Sequence, residues 1–294
     1  MTAPDDLQAD AGPVAIICGG GTFPFTVADA LIKSGRGAVL FALKGWADPE
    51  RVKHYPHHWA HVTQLGRFLR LARREGCRDV IFIGTLVRPS IRQLINFDLA
   101  TLRALPSAIR HFYGGDNHLL TGMASLLEGH GFRLLGAHEV APEILMQEGA
   151  LGQAAPKAGD LEDIRHGLDV LNAIGPLDIG QGVVVANRHV IAVEAAEGTD
   201  QMLARVADLR RTKRFRAPLG TGVLVKAPKP GQDRRFDLPS IGPRTVEGVA
   251  EAGLAGLAVI AGGAIVAEPQ IVVEKADRAR VFVLGLPEPH GGTA

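Results

Sequence analysis

In the run Val14-Ala15-Ile16-Ile17-Cys18-Gly19-Gly20-Gly21-Thr22-Phe23-Pro24, an apolar segment closes on three glycines and opens onto helical spacing over residues 25–33. A short apolar run that stops at glycine reads as a strand buried on both faces. The same pattern returns at Ala38–Leu43 (AVLFAL) and Asp79–Gly84 (DVIFIG), with a further apolar segment at Phe132–Val140. Helical patterns fall between them, at Phe68–Arg74, Leu99–Phe112 and His118–His130. Strands of this kind separated by helices specify a parallel sheet covered on both sides. The first half is therefore expected to be a Rossmann-like, parallel-sheet α/β domain.

The glycine turn has its own chemistry. Gly20, Gly21 and Thr22 lie where a strand hands over to a helix, so backbone N–H groups there can meet a phosphate. A dinucleotide fingerprint needs a third glycine at position 24, where Pro24 stands, and an acidic residue after the second strand, where Leu43-Lys44 stands. Both departures count against a nicotinamide cofactor. A turn that binds nothing is the plain alternative.

The pattern changes over Gly149–Gly159 (GALGQAAPKAG), which has no sustained period and reads as a linker. The expected domains are residues 1–148, a linker at 149–160 with a hinge in it, and a mixed α+β domain at 161–294. In the latter, strands are expected at Gly182–Ala186, Val190–Glu194, Gly222–Lys226, Leu257–Ala261, Ala264–Ala267, Ile271–Glu274 and Val281–Leu284. Helices are expected at Asp200–Arg211 and Thr245–Ala252, and Gly262-Gly263 marks a hairpin.

Whole-chain properties narrow the function classes. The 294 residues suffice for two ordinary domains, and a hydrophobic content of 46% supports a substantial core. Thirty-two basic residues face thirty-one acidic ones, so no net field attracts nucleic acid. Cys18 and Cys77, the two cysteines, are far apart and read as a buried small hydrophobe and an incidental thiol. The opening MTAPDDLQAD is acidic, the reverse of a signal peptide, and Ala252–Ala267 is too short and glycine-rich to span a bilayer. A cytoplasmic protein is expected. Peripheral contact with a membrane needs only a surface patch.

Several constellations carry candidate chemistry. His54, His57, His58 and His61 share helical spacing, but Pro56 interrupts them, and a solvated loop is the better reading than a metal site. In Gly114-Gly115-Asp116-Asn117-His118, Asp116 or Asn117 either caps a helix or contacts a ligand. Gln181 sits in LDIGQG, after which AVEAAEGTD supplies Glu194, Glu197, Thr199 and Asp200 beside a strand end. That oxygen supply suits a hard cation such as Mg²⁺, while helix capping by Thr199 or Asp200 is the bland account. The densest segment is Lys226-Ala227-Pro228-Lys229-Pro230-Gly231-Gln232-Asp233-Arg234-Arg235-Phe236-Asp237. Its prolines and glycine enforce a stiff, non-helical path. Cations there neutralise phosphoryl oxygens, and a carboxylate holds a metal or positions water. Finally, Arg205, Arg210, Arg211, Lys213, Arg214 and Arg216 form a basic run at a helix end, suited to the macrodipole or to steering anionic substrate and lipid headgroups.

Taken in order, GGGTFP, Gly84-Thr85-Leu86-Val87-Arg88-Pro89, GGDNHLL, LDIGQGVVV, AVEAAEGTD and LVKAPKPGQDRRFDLPSIGP resemble the UDP-2,3-diacylglucosamine pyrophosphatases of the LpxI type, across nearly the whole chain. The resemblance implies hydrolysis of UDP-2,3-diacylglucosamine to UMP and 2,3-diacylglucosamine 1-phosphate (lipid X), by water attack on the α-phosphorus, in lipid A assembly. It implies Mg²⁺ dependence, a homodimer, peripheral association with the inner membrane, and a substrate lying between two domains. It also implies that the aspartate of KPGQD, Asp233, is essential. One departure stands out: the family commonly carries GDD where this chain reads Gly115-Asp116-Asn117, so Asn117 is taken as a ligand contact at most.

Phosphoanhydride hydrolysis needs charge neutralisation and an in-line water. On that chemistry Asp233 binds Mg²⁺ or orients the water, with Glu194, Glu197 or Asp237 assisting. Lys226, Lys229 and Arg234 hold phosphate oxygens and Gln232 positions a polar group. Gly20, Gly21, Thr22, Arg88, Asp116, Asn117, Gln181 and Thr199 complete the expected substrate contacts. A non-catalytic nucleotide-sugar sensor and a nicotinamide oxidoreductase are the competing classes.

Overall fold

The computed structural model describes residues 12–84, 98, 101, 116–229, 233–235 and 238–287, with backbone alone for 116–121. The chain divides into two compact units, Met1–Pro142 and Glu143–Ala294.

The first unit is built on a five-stranded parallel sheet. Its strands are β1 (Val14–Cys18), β2 (Ala38–Leu43), β3 (His57–Ala60), β4 (Asp79–Ile83) and β5 (Arg133–Leu134), in the order β3-β2-β1-β4-β5. Helices α1 (Phe23–Lys33), α2 (Leu65–Arg74) and α3 (Asp116–Gly129) accompany them. Every residue of β2 is buried, as its unbroken apolar run requires. Strand order reverses between β1 and β4, and their carboxyl ends close tightly together. At Gly84 (φ +104°), an added Cβ would lie 2.7 Å from the Gly20 carbonyl oxygen. Only glycine fits there.

A buried carboxylate locks the opposite end of this sheet. Asp79 accepts from Arg133 Nε at 2.7 Å and Nη2 at 2.9 Å, and from the Arg36 guanidinium. Burial alone raises the Asp79 pKa, but the hydrogen bonds from Arg133 and Arg36 outweigh it and hold the carboxyl below its ordinary value. Both cysteines are buried, and desolvation pushes Cys18 up to about 12 and Cys77 up to about 11. Neither is a reactive thiol.

The second unit carries a six-stranded mixed sheet: β6 (Gly149–Ala150), β7 (Gly182–Ala186), β8 (His189–Val193), β9 (Val223–Lys226), β11 (Gly256–Ile260) and β13 (Phe282–Leu286). The order is β6-β13-β11-β9-β7-β8, with β9, β11 and β13 parallel and the others antiparallel to their neighbours. A separate parallel pair joins β10 (Ser240–Ile241) to β12 (Ile265–Val266). Period-two alternation sends Val184, Leu224, Leu257 and Val283 into one core with helices α5 (Gly198–Arg211), α6 (Pro243–Glu251) and α7 (Pro269–Ala279). Val183, Val185, Val223 and Val225 face the other way, against Ile164 and Leu171 of α4 (Ala158–Ile174).

The structure corrects several local readings. Residues 271–274, expected as a strand, lie inside α7, where Val272 and Ala276 bury one turn apart and Pro269 starts the helix. Burial at i and i+4 overrode the β-propensity of Ile-Val-Val. Gly262-Gly263 does not form a hairpin, because β11 and β12 belong to different sheets. Helix α4 was not anticipated at all. Residues 149–160, read as a linker, supply strand β6, which pairs with β13, and the start of α4. His57 and His58, read as loop, form edge strand β3 on β2. Within Phe132–Val140 only Arg133 and Leu134 are strand, followed by a short helix at Ala137–Val140. Of Leu99–Phe112, all but Thr101 lies outside the described residues. Among the described residues no helix is long and apolar enough to cross a membrane.

Candidate active site

In the second unit the carboxyl end of β9 meets the end of β8 across β7. Lys226 closes β9 opposite Gly182, and the Glu194 N–H donates to the Gly182 carbonyl at 2.8 Å. Glu194 therefore turns back over the start of β7. It can do so only because glycines lie beneath it. A Cβ at Gly182 would sit 2.5 Å from Glu194 Oε2, and one at Gly180 would sit 2.0 Å from the Glu194 carbonyl oxygen. The Gly-Gln-Gly string is thus a cradle for a carboxylate. Gln181 itself, between the glycines, accepts the Ala227 N–H at 3.1 Å through its backbone carbonyl.

A hydrogen-bonded chain crosses this cradle. Lys226, only 5% exposed, donates from Nζ to Thr199 Oγ1 at 2.7 Å and to the Ser240 carbonyl at 3.2 Å. Thr199 donates to Glu194 Oε1 at 2.7 Å. Thr199 stands in the first turn of α5, after Gly198 (φ +77°). The ammonium thus lies near a helix N-terminus, and both favour negative charge on a ligand. The second oxygen of the carboxylate, Glu194 Oε2, is buried and has no hydrogen-bond partner. A desolvated oxygen left in that state costs about 1–3 kcal/mol or more. A site that a ligand completes is the natural account of such an atom.

The other expected site residues take individual positions. Lys229 pairs with Asp178 at 2.5 Å, and Asp178 holds a left-handed conformation after a short 3₁₀ turn. Asp233 is gripped by Arg235, with Nη2 2.7 Å from Oδ2, Nε 3.0 Å from Oδ1, and the Arg235 backbone N–H also 3.0 Å from Oδ1. Arg234 is exposed. Glu197 accepts from Arg205 at 2.8 Å, and Asp200 pairs with Arg244 at 2.8 Å. Among the described residues, no group of three or more His, Cys, Asp and Glu is gathered as metal ligands. Gly20, Gly21 and Thr22 lie in the first unit, where Gly21 has φ +87° and Thr22 precedes α1 without a side-chain capping bond. Asp116 and Asn117 start α3, and their side chains lie outside the described residues, as do Arg88, Gln232 and Asp237 altogether.

Mg²⁺ fits this cradle in one respect. Glu194 Oε2 is a hard, unsatisfied oxygen, and Mg²⁺ typically takes one or two carboxylates and fills its remaining positions with water and substrate phosphates.

Four contributors lie within the motifs quoted above but were given no role of their own there: Gly182, Asp178, Arg235 and the Ser240 carbonyl. Gly182 was legible in principle, because two glycines flanking one residue beside an acidic strand end signal close backbone approach. Asp178 and the Ser240 carbonyl act through tertiary contact, and Arg235 through the local turn of its loop.

Two family models match successive parts of the chain, the LpxI N-terminal domain over residues 13–144 and the LpxI C-terminal domain over residues 147–284. The chain belongs to the LpxI family. One relative, the UDP-2,3-diacylglucosamine pyrophosphatase LpxI of Caulobacter vibrioides, is 42% identical over 273 residues, or 93% of this chain and 97% of that protein. The solved structures matched to this LpxI-family chain are more distant. A UDP-glucose-4-epimerase from Stenotrophomonas maltophila, with bound NAD and formylated UDP-arabinopyranose, aligns at 16% identity over 42% of this chain and 36% of that one, with a TM-score of 0.28. The biotin carboxylase domain of Hydrogenobacter thermophilus 2-oxoglutarate carboxylase aligns at 13% identity over 74% and 44%, with a TM-score of 0.24. Neither supports a fold assignment.

Proposed function

We propose that this chain hydrolyses UDP-2,3-diacylglucosamine to UMP and 2,3-diacylglucosamine 1-phosphate, in lipid A biosynthesis, with water attacking the α-phosphorus. Membership of the LpxI family and the name of the Caulobacter vibrioides relative support the substrate. The observation that carries the site is the buried Lys226 ammonium, held by Thr199 beside an unsatisfied carboxylate oxygen.

A diphosphate brings several negative oxygens into a site that must be screened from solvent. Lys226 offsets that charge in a low-dielectric setting, where it is most effective. Lys229 stands three residues further on, and its ion pair with Asp178 exchanges for a phosphate oxygen as substrate enters. Asp233 supplies the carboxylate that orients the attacking water, with Arg235 fixing the direction of its oxygens. Glu194 would hold Mg²⁺ through Oε2, and the ion would supply further neutralisation of phosphoryl charge. The Pα–O bond to the bridging oxygen breaks, and the sugar phosphate leaves as an anion.

The same reading makes the chain a homodimer working against the inner membrane, as the family resemblance implies. Lys213, Arg214 and Arg216 are exposed and precede Leu219, itself 80% exposed, in the same stretch of chain, and such a segment suits an anionic lipid surface.

The test is release of UMP and lipid X from UDP-2,3-diacylglucosamine, in Mg²⁺ and in EDTA. Wild type is expected to turn over with Mg²⁺. Lys226→Met and Asp233→Ala should each lose about 10²–10³-fold or more in kcat. Substrate binding by the wild type without UMP release at high Mg²⁺ would make the protein a sensor instead.

A further inference from the structure

The chain Lys226–Thr199–Glu194 has a direction that its chemistry fixes. A threonine hydroxyl has one hydrogen, and an ammonium has donors only. Lys226 therefore donates to Thr199, at 2.7 Å, and Thr199 spends its one hydrogen on Glu194 Oε1, also at 2.7 Å. Three separate elements are tied at this point: the end of β9, the residue after β8, and the first turn of α5.

We infer that Thr199 is a positioning residue, whose hydroxyl holds the Lys226 ammonium and the Glu194 carboxylate in register and acts through them without binding substrate itself. This rests on the hydrolase reading above. The physical reason lies in the two groups it joins. Lysine ends in a flexible four-carbon stem, so a buried ammonium is aimed only as well as its acceptors aim it. Glu194 already has one oxygen without a partner, and Oε1 relies on the Thr199 hydroxyl. Replacing that hydroxyl by a methyl strands the carboxylate and loosens the ammonium together. A misplacement of about 1 Å in a reacting group costs up to about 10²-fold in rate.

The experiment compares Thr199→Val, Thr199→Ala and Thr199→Ser in the full chain, under saturating Mg²⁺. Thr199→Val and Thr199→Ala should lower kcat by about 10–100-fold with KM changed by no more than about threefold. Thr199→Ser, which keeps the hydroxyl, should recover most of that loss. A second readout needs no turnover: in protein labelled with ¹⁵N-lysine, the Lys226 ammonium signal, assigned by its absence in Lys226→Arg, should broaden or vanish in Thr199→Val and persist in Thr199→Ser. A rise in KM with kcat preserved would make Thr199 a substrate contact and overturn the inference. So would a serine variant no better than valine, or an ammonium signal indifferent to all three changes. If wild type releases no UMP, the hydrolase reading fails by itself, and the ammonium signal still decides whether Thr199 holds Lys226.

Discussion

Two carboxylates, the buried Asp79 of the first unit and the half-buried Glu194 of the second, are treated in opposite ways. Asp79 in the first unit is gripped on both oxygens by two guanidinium groups. Glu194 in the second has one oxygen bound to Thr199 and the other bound to nothing. A fold that satisfies a buried charge completely has used it for structure. One that withholds a partner from an oxygen leaves it open to a group that arrives later, the role proposed above for Glu194. The contrast also explains position: Asp79 starts β4 at the amino end of a parallel sheet, while Glu194 follows the end of β8, beside the carboxyl end of β9.

Breaking the first network should have the larger effect on stability. Asp79→Asn leaves Arg36 and Arg133 facing a neutral amide. It should cost about 3–5 kcal/mol, measured by urea denaturation, with kcat per folded molecule unchanged. If that change reduced kcat and left stability intact, the division between the two carboxylates would collapse.

The second network should fail in the reverse sense. Gly182→Ala pushes a methyl group into Glu194 Oε2, 2.5 Å away, so the carboxylate must move. UMP release should fall by about tenfold or more, with a stability cost of about 1–3 kcal/mol from the crowding. An alanine variant of normal activity would show that Glu194 does not need its observed seat.

The smallest effect is a pH dependence, and its sign follows from Asp79. Its folded pKa lies below the unfolded value of about 3.9. The clamp therefore contributes fully above that unfolded value and is lost as pH falls through the folded one. The stability gap between wild type and Asp79→Asn should be constant near neutrality and narrow below about pH 4. A gap that widens on acidification would reverse the assignment.

How far these features could be read beforehand differs between the units. Strands β1, β2 and β4 were legible because a parallel strand buried on both faces must be an unbroken apolar run. Strand β3 was not, since an edge strand on one side of a sheet tolerates His57 and His58. In the second unit, Lys226 and Glu194 were visible as charges ending apolar strands. The helix over Pro269–Ala279 was not, because Ile-Val-Val has strand propensity and only its packing on the sheet selects the helical period. Asp233 was visible by family resemblance; its engagement by Arg235, two residues on, depended on how the loop turns.

By itself, then, the sequence determined the α/β class, the family, and the charged residues from which a diphosphate site is built. Those are properties of composition, period and local motif. The tertiary structure alone decided which of those charges are neutralised at home, as Asp200 is by Arg244, and that Glu194 keeps one oxygen, Oε2, without a partner among the described residues. Partners that meet across strands and helices are fixed by strand register and by how closely glycine lets two backbones approach, and neither is encoded in any single stretch of chain.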